Sequence, residues 1–167
     1  MNHLVMFMVS MFAAIIESLS PTLHILGQGE APIVLGVVIY YALTRERHMV
    51  VKAAITAGIF YDALCYKVPP GFSAIAYVCI GLLVNQYRDK IFGNHWLTHI
   101  FLGVVSSLAM TIMMYIMLLS RGNEIGIAGM LIKSMGVMLM SLAVIPVVFK
   151  VVERIDYKLG NVELREI

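Results

Sequence analysis

Between Thr98 and Ser120 the chain runs for 23 residues with one histidine and no formally charged side chain. As a helix this stretch is ~34 Å long, enough to cross a hydrocarbon core of roughly 30 Å. A bilayer core offers no water to backbone N–H and C=O groups. Only helices and closed barrels satisfy those groups there, and a run of this length is too long for a barrel strand. The rest of the chain has the same character, with apolar runs at Leu4–Leu19, Pro32–Leu43, Val50–Cys65, Phe72–Tyr87, Leu97–Leu119 and Ile125–Phe149. The sequence therefore predicts an all-α integral membrane protein with six transmembrane helices in one bundle. The second run is short for a span, so it is expected to tilt little, thin the bilayer or be partly re-entrant. The first has no Lys or Arg ahead of it and no small-x-small cleavage site, and Glu17 and Pro21 fit a signal peptide poorly. It reads as a retained span.

Composition excludes other classes. Of 167 residues, 60% are hydrophobic and 13% charged, with a mean hydropathy of +0.89. A soluble domain of this size cannot hide so much apolar surface, which rules out a cytosolic enzyme, a disordered chain and a disulfide scaffold. The net charge of +2 gives no basic face for nucleic acid. Cys65 and Cys79 stand on separate apolar stretches in no metal-ligand spacing.

Basic residues set the expected orientation. With six spans, Arg45, Arg47, Lys52, Arg88, Lys90, Lys150, Arg154, Lys158 and Arg165 fall on one side, and Lys67 and Arg121 on the other. The positive-inside rule then puts both termini in the cytoplasm. Tyr40, Tyr41, Tyr87 and Trp96 gather at the predicted cytoplasmic ends as an aromatic belt, with Tyr61 and Tyr66 towards the outer face. The loops are short and hold no soluble domain. The chain divides into a six-helix transmembrane domain, 1–150, and a cytoplasmic amphipathic tail, 151–167. In the tail Val152, Ile155, Leu159 and Val162 recur at steps of three and four. It reads as an extension of the last helix or as a solvated, fraying end.

Charged groups inside spans are functional hypotheses by default. Glu17, Asp62 and Lys133 qualify, each in the outer half of the predicted bilayer. They read as an ion-paired network that fixes helix packing, as a polar cavity for a small ligand or proton, or as groups that snorkel to the interface. Lys133 is the expected partner of Asp62, with Glu17 nearby. No catalytic constellation stands out. His95 and His99 are spaced i, i+4 but read as an interfacial pair beside Trp96; His3, His24 and His48 read as solvated. Ser106 and Ser107 have no histidine partner, and no cofactor or metal motif is present. Ala54 with Gly58, and Gly103 with Ser107, make small-xxx-small steps that let helices approach closely. Eight of the 13 methionines lie between Met110 and Met140, where they fill space, face lipid or offer an adaptable partner surface.

One segment resembles a known family. Pro32 opens the second span. The third contains Gly58-Ile59-Phe60-Tyr61-Asp62, and Pro69-Pro70-Gly71 precedes the fourth. This is similar to the Gly-x-x-x-Asp and Pro-x-Gly pattern of the rod shape-determining MreD family. The likeness covers nearly the whole chain by hydropathy and about residues 32–90 by motif. The family often carries Asp directly after the proline of the second span, where this chain has Ile33, and Lys133 matches no family signature.

The resemblance implies a non-enzymatic scaffold of the bacterial inner membrane without a cofactor. Its partners would be the single-pass protein MreC, the actin-like MreB, and RodA with its transpeptidase, which together direct peptidoglycan synthesis in cell elongation. Gly58, Asp62, Pro70 and Gly71 would be structural or interaction residues, alongside Glu17 and Lys133. The family's fold is similar to that of the substrate-binding membrane subunits of energy-coupling-factor transporters. The alternative is therefore capture of a vitamin or other small nutrient in a polar outer pocket at Glu17, Asp62 and Lys133.

Overall fold

A computed structural model describes residues 2–20, 31–65, 69–88, 96–122 and 127–159. These residues form six α-helices: α1 (Asn2–Leu19), α2 (Ile33–Thr44), α3 (Arg47–Cys65), α4 (Phe72–Tyr87), α5 (Trp96–Ser120) and α6 (Ile127–Lys158). Three stretches, Arg47–Cys65, Ile100–Ser120 and Ala128–Lys158, are long and apolar enough to cross a membrane. Leu4–Leu19, Ile33–Thr44 and Phe72–Tyr87 are shorter apolar helices. The described residues are all-helical, and the chain has the marks of a membrane protein.

Apolar side chains also cover the outside of the bundle. Phe12 of α1, Ile59 of α3, Ile75 of α4, Phe101 of α5 and Met135 of α6 are all more than half exposed. In water such a surface would drive aggregation; in lipid it is the ordinary solvent-facing side. α2 is the exception, since every residue from Val34 to Ala42 is buried. A helix that is apolar all round belongs inside other helices. α2 packs against each of the other five, and these adjoin one another in the order α1, α3, α4, α5, α6. The shortest helix, about 18 Å long at 1.5 Å per residue, is thus the axis of the bundle.

Small residues set how closely the outer helices approach. α3 and α4 form the most extensive helix pair. At their crossing, a Cβ added to Gly58 would run into the backbone N and Cα of Ala74. On α5, a Cβ at Gly103 would meet the side chain of Ile145 on α6. One turn further, Ser107 Oγ lies 3.3 Å from Ser141 Oγ, and Ser107 also donates to the Val104 carbonyl at 2.9 Å. Both small-xxx-small steps therefore face a partner helix.

α6 extends past the predicted end of its span. It continues to Lys158, with Val152 and Asp156 buried and Lys150, Arg154 and Lys158 exposed. The first part of the tail is thus one helix with the span, and one face of it docks on the bundle. Pro146 sits inside this helix, where it supplies no backbone N–H.

The Gly58 crossing can be tested by thermal unfolding of the purified protein in detergent. Gly58→Val is expected to destabilise by at least ~1–3 kcal/mol through overpacking. Gly129→Ala, whose Cβ meets nothing within 4 Å, should leave the midpoint unchanged or slightly raised. Equal midpoints for the two variants would show that α3 and α4 do not touch at Gly58.

Candidate functional site

The first N–H groups of any helix lack an intrahelical partner, and within a membrane water does not supply one. α2 begins at Pro32, whose side chain makes no capping hydrogen bond. A neighbouring helix provides the acceptor: Glu17 Oε2 of α1 takes the N–H of Val34 at 2.6 Å. α4 begins in the same manner. Gly71 is its N-cap residue, and its N–H donates to Asp62 Oδ2 of α3 at 2.6 Å. Glu17 and Asp62 are 7% and 6% exposed. Each carboxylate meets the positive end of a helix dipole. Asp62 Oδ1 is buried without a hydrogen-bond partner among the described residues.

The residues Gly58, Asp62, Pro70 and Gly71 thereby form one device. Gly58 admits the backbone of α4, and Asp62 holds the first N–H of that helix. Gly71 turns the chain at φ +93°, in the left-handed region that glycine enters without penalty. Pro69 and Pro70 precede it, and the Pro69 carbonyl accepts the N–H of Phe72 at 3.2 Å. Pro70 itself is exposed at the turn.

The structure corrects one pairing. Lys133 was the expected partner of Asp62, but the Asp62 carboxylate is engaged by Gly71, and no ion pair joins it to Lys133. The reason is local. Asp62 lies one helical turn after Gly58, on the face that meets the start of α4, so a backbone donor reaches it first. Lys133 instead lines a half-open cavity of about 60 Å³ with Glu17. Tyr61, Tyr77, Ser107 and Thr111 complete its polar and aromatic wall, with Met110 and Met114 beside them. Tyr61 and Tyr77 meet edge to face at 6.0 Å. All six helices or their first turns contribute to this lining.

A second polar cluster lies at the opposite end of α2, where its last carbonyls need donors. Asn85 Nδ2 of α4 donates to the carbonyls of Ala42 at 2.7 Å and Arg45 at 3.1 Å. Arg88 Nη1 reaches the Arg45 carbonyl at 2.8 Å. Asp156 of α6, 2% exposed, accepts from Tyr40 Oη and from Arg45 Nη2, both at 3.1 Å. Sequence reasoning counted Arg45 and Arg88 only as topogenic charges and did not single out Asp156. A signal was present. Asp156 falls on the same stripe of the tail as Val152, Ile155 and Leu159, an acid on an otherwise apolar face.

Among the described residues no three His, Cys, Asp or Glu side chains gather as a metal site. His24, His95 and Lys67 lie outside the described residues, as do the side chains of His3, Trp96 and His99. His48 is exposed and 3.3 Å from the Glu46 carboxylate.

The capping role of Asp62 predicts an asymmetry between two substitutions, read as unfolding midpoints in detergent. Asp62→Ala removes a charge-assisted bond to Gly71 and should cost ~1.5–3 kcal/mol. Asp62→Asn keeps an acceptor oxygen and should cost less than half as much. Adding Lys133→Met to Asp62→Ala should give no recovery, because the two side chains share no contact. Recovery in the double variant would restore the Asp62–Lys133 pair.

No protein-family model, curated protein or solved structure matches the chain.

Proposed function

We propose that this chain is a non-enzymatic, multi-pass scaffold of the bacterial inner membrane, of the rod shape-determining MreD kind. In this reading all six helices span the membrane, with both termini in the cytoplasm. The bundle couples an MreC-like single-pass protein and the RodA–transpeptidase synthase to the actin-like MreB.

The observation that carries the reading is the hairpin of α3 and α4. The residues of the family-like pattern, Gly58, Asp62 and Gly71, meet one another's helices, with the Asp62 carboxylate on the Gly71 N–H at 2.6 Å. A motif that closes a hairpin supports a role in which the shape of the bundle matters. Glu17 bears on the departure at Ile33. The family often has an acid beside the proline that opens the second helix, and here Glu17 brings a carboxylate to that helix start from α1. α2, the shortest of the three short helices, fits within the bundle because side chains satisfy its ends. Glu17 caps the start of α2 and Asn85 with Arg88 its end, so neither terminus has to reach the aqueous interface.

The cavity supports the scaffold over capture of a vitamin. Pockets for drug-sized ligands measure roughly 300–1,000 Å³, against about 60 Å³ here.

The test is removal of the gene from its rod-shaped host. Cells should widen and round up, and a copy carrying Asp62→Asn should restore rods better than one carrying Asp62→Ala. Cells that keep their width without the protein would overturn the proposal. Reporter fusions bear on the topology: at Ile167 they should report cytoplasm, and at Arg121 the opposite side. Periplasmic activity at Ile167 would reverse the orientation.

A further inference from the structure

α6 is long and apolar enough to cross a membrane, and past Phe149 it continues as a charged helix to Lys158. From Ile127 to Phe149 it is ~34 Å long, about the depth of a hydrocarbon core, so Lys150 stands where the headgroups begin. The extension has two unlike faces. Val148, Phe149, Val152 and Asp156 are buried against the bundle, and the Asp156 carboxylate accepts from Tyr40 and Arg45. These contacts fix the rotation of the helix about its axis. On the opposite face Lys150, Arg154 and Lys158 follow at steps of four, all exposed. They form one column ~12 Å long. None of the three makes an ion pair among the described residues. Asp156 is taken by Arg45 on the buried face, and Glu153 pairs with none of them.

Three unpaired cations in a column call for negative charge, and two features direct them to the membrane. Val147 and Val151 share the exposed face with the cations and are 61% and 51% exposed, with Tyr157 beside them. Apolar surface and an aromatic ring next to basic residues suit the boundary between acyl chains and headgroups. Side-chain direction is the second feature. Every Cα–Cβ bond of a helix tilts towards its N-terminus. α6 leaves the membrane with its C-terminus leading, so Lys150, Arg154 and Lys158 lean back towards the membrane surface and not out towards a soluble partner. α3 has the reverse polarity. It starts at the same end of the bundle, two residues after the Arg45 that pairs with Asp156. Its exposed Arg47 and Lys52 therefore lean away from the membrane.

We propose that the stripe of Lys150, Arg154 and Lys158 binds the headgroups of lipids with a net negative charge. The binding depends on α6 crossing the membrane and not on any role in cell shape; the reporter fusions test that crossing separately.

The experiment is native mass spectrometry of the full chain, purified in a neutral detergent and mixed with equal amounts of phosphatidylglycerol and phosphatidylcholine. Both lipids carry a phosphate, so a preference reads net charge. The wild type should retain phosphatidylglycerol over phosphatidylcholine. Lys150→Gln, Arg154→Gln and Lys158→Gln should each weaken that preference about fivefold, the effect of one basic residue near an anionic surface, and the triple variant should abolish it. All three positions are exposed, so these changes leave the buried face of α6 intact. Arg47→Gln with Lys52→Gln removes two cations from the same end of the bundle and should keep the preference. Equal retention of the two lipids by the wild type, an unchanged preference in the triple variant, or an equal loss in the α3 double variant overturns the proposal.

Discussion

A helix that begins buried among other helices must find hydrogen-bond acceptors for its first N–H groups without water, and this bundle is organised around that demand. α2 is only 12 residues long and buried along nearly its whole length. It persists as the axis of the fold because other helices serve its ends. Glu17 takes an N–H at its start, and Asn85 and Arg88 reach carbonyls at its finish. Asp62 does for α4 what Glu17 does for α2. Buried carboxylates that would be expensive as isolated charges are here placed at the positive ends of helix dipoles.

Packing follows from the same geometry. Apolar attraction contributes little between helices already surrounded by hydrocarbon, so close fit has to hold the bundle. Gly58 against Ala74 and Gly103 against Ile145 supply that fit for two of the helix pairs. The polar caps then fix the axial register of these pairs, since sliding α4 along α3 by one turn would separate Asp62 from the N–H of Gly71.

The helices were legible in the sequence because charges punctuate apolar runs at nearly the observed boundaries. Phe72–Tyr87 coincides with its run, and α1, α3 and α5 differ from theirs by at most three residues at either end. The candidate site was legible only in part. Glu17, Asp62 and Lys133 stood out as charges in apolar surroundings, but their partners did not. Asp62 and Glu17 are satisfied by backbone N–H groups, which every residue carries and no sequence pattern marks. Pairing by opposite charge was therefore the wrong rule for Asp62. Asp156 was missed for a related reason. It stands in a charged tail, and only the docking of that tail on α2 makes it a buried acid beside Arg45 and Tyr40.

α6 runs unbroken from the cavity to the cluster at Asp156, with Lys133 near one end and Asp156 near the other. Pro146 lies between them and cannot bond to the carbonyl of Leu142. The helix is thus a jointed rod whose weakest point is fixed by sequence. Force applied to the tail by anything bound outside the membrane would be taken up first at that joint. Past Pro146, Val148, Phe149 and Val152 are buried in the core, while on the Lys133 side Ile145 is fully buried and Leu131, Ile132 and Met135 are exposed. Bending at Pro146 would turn the half that carries Lys133 relative to the half that carries Asp156. A load on the tail would in this way reach the cavity end of the same helix as a change of angle.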